Sequence, residues 1–427
     1  MEKERRDVSD TCQTSLIPES GSFAGTTWQE RYKRNQIQNI DRNAFIRVSL
    51  ALSLVPNVGA GRICKLYNRF QPDLSLLSRD WAELASVGTI GAATARAIRQ
   101  FNNWEQVDAI LTETKKHNLQ LVTQLDSCYP ELLREIYDPP ILLWLKGNPE
   151  ALKTPCFSIV GTRRPSTAGR KLTTGFTRDL VRGSGFTIVS GLAHGIDSLA
   201  HTAALEENGC TIAVLGSGVD RIYPQQNIRL AYRIMNTGGA VISEFPPGTK
   251  PDPQNFPVRN RIVSGISVGV LVTETDLEGG SQITIDRALH QNREVFIVPH
   301  DIRNPRGKGC NVCIQRGWGK LVTSVGEIFE ELPPYRILQS ATNSADVIRK
   351  KSDTANVAGK RDESRVDKLD DRYKRIVRAL TGIVIHIDDL AKKLDVATSD
   401  LLTDLLELEL SGWVIQKPGK KFTVREW

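Results

Sequence analysis

The chain of 427 residues has no long apolar segment, and no run approaches the roughly 20 apolar residues that a membrane-spanning helix requires. Cysteine is also scarce, and its seven copies are irregularly spaced, which argues against a disulfide framework. The first six residues are mostly charged, and no apolar stretch follows them. We therefore expect a cytoplasmic protein with reduced thiols and no membrane association.

Common catalytic signatures are missing as well. The sequence contains no Walker glycine-lysine loop, no G-x-G-x-x-G and no nucleophile elbow. Cys310 and Cys313 have the spacing of half a zinc site, but a turn that leads into a short helix also explains them. His194, Asp197 and His201 have the spacing of one helical face, where we favour capping and arginine pairing for Asp197 and packing for His201. We expect no catalytic residue, no metal and no cofactor.

The charge balance is basic, with a formal net charge of +7 and a pI near 9.0. The excess is local: residues 151–335 hold 20 Lys and Arg against 16 Asp and Glu, and residues 336–366 hold 7 against 4. A basic excess confined to the middle of the chain favours a polyanionic partner for that region.

Short, continuous β-branched runs recur through this middle region and alternate with helical stretches. This alternation predicts a doubly wound, mostly parallel α/β sheet that is covered on both faces. Ligands of such sheets bind at the carboxyl ends of the strands. The predicted strands lie at residues 157–161, 187–191, 211–216, 240–245, 268–274, 294–299 and 320–323, with an edge strand near 141–145.

Positive charge and glycine gather where the first of these central strands ends. Arg163, Arg164, Arg170 and Lys171 follow Gly161 in a turn with no acidic residue. Backbone amides, a helix amino terminus and guanidinium groups then converge on one point, which predicts an anion site. Residues 278–281 form a second glycine turn at a helix start, which is a common phosphate cradle.

A proline-rich loop at residues 246–261 is too long for a simple connector. Phe256 lies in it among polar residues and prolines, close to Arg259 and Arg261. An aromatic ring beside guanidinium groups suits stacking on an unpaired base. The alternative is that Phe256 only plugs the loop onto the sheet edge.

The flanking regions read as separate modules. Two glycine-containing segments, at residues 55–62 and 84–91, resemble a helix-hairpin-helix pair, although neither segment is strongly basic. Near the carboxyl terminus, three helices and a hairpin describe a winged helix, but its third helix carries Asp and Glu without Lys or Arg, which disfavours DNA reading. The predicted organisation is a mobile tail at 1–40, a helical module at 41–115, a sheet domain at 116–335, a flexible linker at 336–366 and a winged helix at 367–427.

Six segments of the sheet region, in the right order, are similar to motifs of the DNA-processing protein A (DprA/Smf) family. They are residues 158–164, 190–197, 215–220 with Tyr223 and Pro224, 243–248, 255–263 and 280–284. The resemblance implies an extended Rossmann-like domain that binds single-stranded DNA without catalysis, forms homodimers and loads the RecA recombinase during natural transformation.

The resemblance also implies roles for individual residues. Arg163 would hold phosphate and Phe256 would meet a base. Together with the anion-site reasoning, this gives the predicted DNA-binding set: Gly161, Thr162, Arg163, Arg164, Ser190, Gly191, His194, Gly195, Asn255, Phe256, Arg259, Asn260, Arg261, Gly279, Gly280 and Ser281.

Two positions depart from the family pattern. His194 stands where Arg or Lys is usual, and Gln225 stands where some members have Lys. Arg164, Arg170 or Arg221 would have to compensate for the missing charge. Two other function classes stay open: a nucleotide phosphoribohydrolase, whose motif glutamate is missing from residues 278–284, and a regulator that acts through the winged helix.

Overall fold

The computed structural model describes residues 40–277, 279–332, 371–380, 385–394, 396, 398–410, 413–417 and 421–424. The predicted tail, apart from Ile40, and the predicted linker lie outside these residues. The chain divides into two compact units, Met1–Lys351 and Ser352–Trp427. Within the part of the chain that the structure describes, none of the helices combines the length and the hydropathy of a membrane-spanning segment.

The first unit is built on a nine-stranded sheet in the order β1-β2-β6-β5-β4-β3-β7-β8-β9. Strands β3 to β9 pair in parallel, whereas β1 and β2 pair antiparallel at one edge, so the predicted doubly wound sheet is confirmed. The predicted edge strand is β2, and β1 lies outside it. The strands are β1 Gln120–Thr123, β2 Leu142–Gly147, β3 Cys156–Gly161, β4 Thr187–Ser190, β5 Thr211–Val214, β6 Ala240–Ser243, β7 Ser267–Glu274, β8 Glu294–Ile297 and β9 Lys320–Leu321.

The central strands are buried, apart from Gly161 at the end of β3, because helices cover both faces, as their continuous apolar runs require. The helices of this unit are α1 Arg42–Leu54, α2 Ala60–Arg69, α3 Trp81–Ala85, α4 Ala92–Arg99, α5 Trp104–Lys116, α6 Glu131–Arg134, α7 Thr167–Ser184, α8 Ile196–Glu206, α9 Ile228–Asn236, α10 Asn255–Gly265, α11 Gly280–His290, α12 Lys308–Gln315 and α13 Val325–Glu331.

The amino-terminal helices pack on the β1–β2 side of the sheet. Trp144 of β2 is buried in their core and donates its indole N–H to Thr114 Oγ1 of α5 at 2.9 Å. Gly59 and Gly91 each have extended backbone and directly precede a helix, in the two glycine-containing segments at residues 55–62 and 84–91. The two segments therefore share the same local geometry at the helix start.

The second unit has the winged-helix pattern that the sequence predicted. Helices α14 Asp371–Leu380, α15 Ile387–Leu394 and α16 Thr398–Leu410 enclose an apolar core with the three-stranded sheet β10-β12-β11. Its strands are β10 Ile385–His386, β11 Val414–Lys417 and β12 Lys421–Val424. Asp404 of α16 is buried and pairs with Arg372 at 2.6 Å, so one of the acidic groups on the third helix supports the core of this unit.

Candidate nucleic-acid interface

A cavity of about 610 Å³ opens at the carboxyl ends of β3, β4 and β7. Strand β3 lies between β4 and β7, and the chain order reverses at this point of the sheet. Loops from neighbouring strands diverge at such a switch point and leave a crevice between them. The basic turn after β3, the loop after β4 and the start of α11 all contribute to its wall.

One face of α10 forms another wall of the cavity. Phe256, Arg259, Asn260 and Val263 line it, and they follow the i, i+3, i+4, i+7 spacing of a single helical face. Phe256 was expected in the loop before this helix, but α10 begins at Asn255, so the ring lies in the first helical turn. The ring rests on Gly216, where an added Cβ would lie 2.8 Å from Phe256 Cδ1.

Behind this wall, Gly191 joins a buried carboxylate to a buried guanidinium. Its N–H donates to Asp197 Oδ2 at 3.1 Å, and its carbonyl accepts from Arg259 Nη1 at 2.8 Å. Arg259 also donates to the carbonyl of Val214. Burial lowers the pKa of Arg259 to about 10, opposed by Asp197, and burial raises the pKa of Asp197. Arg259 therefore stays charged at neutral pH and fixes the loop after β4 to α10.

The turns after β3 and β4 pack too closely for larger residues. A Cβ on Gly161 would lie 2.6 Å from the carbonyl oxygen of Glu274. Gly195 has φ of +80°, and a Cβ there would lie 2.5 Å from the carbonyl oxygen of Thr162. Only glycine accepts both the left-handed backbone and this approach. Gly161 lines the cavity, whereas Gly195 fixes the turn beside it without lining the cavity.

Arg163 projects over the cavity, and its guanidinium carbon lies 5.8 Å from the centroid of the Phe256 ring. Arg163, Arg164, Arg170 and Lys171 are all accessible to solvent, and none forms an ion pair within the described part of the chain. Of these four residues, Arg163 and Arg164 line the cavity, so two available positive charges lie at its rim.

The glycine turn at the start of α11 faces the same space. Gly279 is the N-cap residue of α11, and no side chain caps that helix. Gly279, Gly280 and Ser281 all line the cavity, with the hydroxyl of Ser281 held 2.5 Å from Thr275 Oγ1. Glu278 of the predicted cradle lies outside the described residues. The exposed backbone at this helix start offers N–H donors to an anion.

Eleven of the sixteen predicted residues line the cavity, and five do not: Ser190, His194, Gly195, Asn255 and Arg261. Ser190 donates its hydroxyl to the carbonyl of Ile159 at 2.7 Å and supports the sheet. His194 is exposed in the loop before α8, which begins only at Ile196, so it does not share a helical face with Asp197 and His201. His201 is fully buried and bonds to Thr211, in line with the predicted packing role.

The prediction that Arg261 contacts DNA conflicts with its position. Its guanidinium is 4% exposed and donates two hydrogen bonds to the carboxylate of Glu244, at 2.8 and 2.6 Å. A further bond reaches Asp138 at 3.0 Å. Arg261 lies two residues from Arg259, about 200° around the helix, and therefore points away from the cavity. We assign it to the framework and no longer to the DNA-binding set.

Comparison with known proteins agrees with this architecture. Residues 120–333 match the family described as DNA recombination-mediator protein A, and residues 361–420 match the DprA winged helix domain. Protein Smf of Synechocystis is 34% identical over 88% of this chain and 98% of its own length. The chain belongs to the DNA processing protein A (DprA/Smf) family.

Two further members of this family are similar over shorter spans. DNA processing protein DprA of Streptococcus pneumoniae is 46% identical over 48% of this chain and 72% of its own length. A solved structure of DprA from the same organism aligns with a TM-score of 0.56 and 36% identity, and covers 67% of this chain and 96% of that one. The family match at residues 120–333 includes the sheet and the residues that line its cavity.

Several residues that line the cavity are outside the predicted set, and Tyr223 and Asp276 are the two among them that bear most on nucleic-acid binding. Tyr223 lines the cavity, is 44% exposed and lies 5.8 Å from Phe256 between ring centroids. Asp276 also lines it and brings a carboxylate to a largely basic rim. Tyr223 belongs to one of the family-like motifs, together with residues 215–220 and Pro224. Its aromatic side chain in that motif was the signal that could have predicted a contact with a base. Nothing in the sequence pattern places Asp276 at the rim, because that depends on how the turn after β7 folds.

Proposed function

We propose that this chain binds single-stranded DNA, without sequence preference, in the cavity at the carboxyl ends of β3, β4 and β7. The observation that carries the proposal is the pairing of Arg163 with the partly exposed Phe256 ring in one cavity. A base stacked on the ring would place its phosphate within reach of the guanidinium. Stacking accepts every base, so this arrangement suits binding that is independent of sequence.

Other features of the cavity support a nucleotide ligand. Tyr223 extends the aromatic surface beside Phe256, and the start of α11 offers backbone donors. Arg164 adds a second accessible cation next to Arg163. Aromatic faces combined with a basic groove are typical of proteins that bind single strands.

The experiment is a titration of the full chain with fluorescent oligothymidylate of about 16 nucleotides at several salt concentrations. Phe256→Ala should weaken binding by about 1 to 3 kcal/mol, since one stacked base is lost. Tyr232→Ala and Arg233→Ala are matched controls, because both residues are exposed on α9 outside the cavity. Equal affinity of wild type and Phe256→Ala, with folding intact by circular dichroism, would remove the site.

We also propose, from family membership, that the chain is a non-enzymatic mediator that forms homodimers and loads RecA recombinase onto DNA in the cytoplasm. The family description as a recombination mediator supports this role.

Incubation with mononucleotides tests the enzymatic alternative, since release of free base would point to a phosphoribohydrolase. A preference for one duplex sequence would instead favour a regulator that acts through the winged helix. We keep the domain boundaries predicted from the sequence, at residues 40/41, 115/116, 335/336 and 366/367, as part of this proposal.

A further inference from the structure

A second groove lies beside the cavity, and Asp276, Leu277, Gly279, Pro305 and Lys308 line it. It is open to solvent and holds about 480 Å³. Asp276 and Gly279 line both the groove and the cavity, so the two spaces are contiguous. We propose that this groove binds the sugar-phosphate backbone of the nucleotides that follow the one in the cavity. The proposal rests on the proposed function and extends it to a longer DNA path.

The loop after β8, residues 298–307, supplies positive charge to this path together with Lys308. Lys308 is exposed and lines the groove. Arg306 is exposed as well, and its Nη1 donates to the carbonyl of Pro165 at 3.4 Å, which places it against the basic turn that follows β3. Arg303 differs, because Asp301 pairs with it at 2.9 Å and offsets its charge. Arg306 and Lys308 are therefore the two cations that we assign to phosphate.

The loop after β8 is held against the cavity wall by hydrogen bonds. Buried Glu274, at the end of β7, accepts from the backbone N–H of Ser166 at 2.7 Å and from its hydroxyl at 2.6 Å. The same carboxylate accepts from Asn304 Nδ2 at 3.2 Å. Asn304 in turn accepts from the backbone N–H of Arg306 at 3.1 Å. One carboxylate thus holds the two basic loops in a fixed relation.

The charges around the groove set the direction of the backbone. Asp276 is exposed at the border between the two spaces, and its carboxylate repels phosphate there. Lys308 lies on the side of the groove formed by the loop after β8, and it attracts phosphate. Ile302, in the same loop, is 91% exposed and offers an apolar surface to a sugar or base. A strand that leaves the cavity would therefore carry its phosphates toward Arg306 and Lys308.

The test compares two lengths of oligothymidylate, about 2 and about 16 nucleotides, on the full chain. The short one has a single phosphodiester, which Arg163 would hold in the cavity, whereas the long one also reaches the groove. Arg306→Ala combined with Lys308→Ala should weaken binding of the long oligonucleotide on the order of 10-fold. It should also reduce the salt slope by about 1.4, because two phosphate contacts are lost on a single strand. Binding of the short oligonucleotide should not change.

Arg303→Ala is the matched control from the same loop, and it should change the affinity for the long oligonucleotide much less. Lys308→Ala alone repeats the test with a single exposed residue and guards against misfolding of the double variant. An equal loss at both lengths, or no loss at either, would overturn the groove proposal. Failure of the proposed function is distinguishable, because Arg163→Ala would then leave the affinity for both lengths unchanged.

Discussion

Two pairs of arginines, distant from each other in the chain, lie near one cavity and have opposite roles. Arg163 and Arg164 lie in the turn after β3, are accessible, and form no ion pair among the residues that the structure describes. Arg259 and Arg261 lie on α10, are buried, and use their donors on backbone carbonyls and carboxylates. The chemistry of the side chain is the same in both regions, so partner and burial decide its role.

The difference follows from desolvation. A buried guanidinium must be paired, because an uncompensated charge in the interior costs several kcal/mol. Once Glu244 and Asp138 occupy Arg261, no donor is directed toward an incoming phosphate. Arg163 keeps its donors in water and loses only weak hydration when it meets an anion. The exposed pair is therefore available for binding, and the buried pair stabilises the fold.

The largest effect should come from the buried pair. Arg261→Ala leaves the buried carboxylate of Glu244 without its partner and should lower the free energy of unfolding by about 3 to 5 kcal/mol. Calorimetry of the full chain measures this as a shift of the transition that belongs to the first unit. Arg163→Ala is the control and should change the free energy of unfolding by less than about 0.5 kcal/mol. Similar losses for both variants would break the distinction between the pairs.

The reverse order is expected for DNA affinity. Arg163→Ala removes a charge-assisted contact to phosphate and should weaken binding of oligothymidylate by about 1.5 to 3 kcal/mol. The salt slope should fall by about 0.7, the value for one contact on a single strand. Arg163→Lys keeps the charge and should restore part of the affinity and the salt slope. A full loss of affinity with an unchanged salt slope would mean that Arg163 acts other than on phosphate.

The junction between the two regions is Gly191. A Cβ at this position would lie 2.5 Å from both terminal nitrogens of Arg259, so Gly191→Ala must displace a buried guanidinium. We expect a loss of about 1 to 3 kcal/mol in the free energy of unfolding, as for other overpacked interiors. DNA affinity should fall too, because the cavity wall moves. Gly175→Ala is the control, since an added Cβ there meets nothing within 4 Å.

Much of this fold could be predicted because buried parallel strands leave a clear trace. The run at residues 268–272 is apolar without alternation and lies in β7, which is buried along its whole length. The basic turn after β3 was also predictable, since glycine and arginine directly follow an apolar run. The direction of the Arg261 side chain could not be predicted from the sequence. It depends on α10 starting at Asn255, within a loop whose prolines and polar residues indicated irregular backbone.

The smallest expected effect is a pH dependence of the buried region. Burial lowers the pKa of His201 to about 3, whereas the unfolded chain has the ordinary value of 6.5. Below about pH 6.5 the unfolded state therefore binds a proton that the folded state excludes, and stability falls as the pH falls toward 3. By about pH 5.5 this costs about 1.4 kcal/mol.

His201→Asn tests this directly, because an amide can keep the hydrogen bond to Thr211 without titrating. The variant should lose the dependence on pH between about 6.5 and 5.5, measured as the free energy of unfolding in denaturant at each pH. Its absolute stability is not the readout, so a moderate packing loss does not obscure the result. If the free energy of unfolding of the variant falls with pH as steeply as that of the wild type, protonation of a group other than His201 limits the stability of the first unit in acid. The buried surroundings of His201 would then tolerate a protonated imidazole.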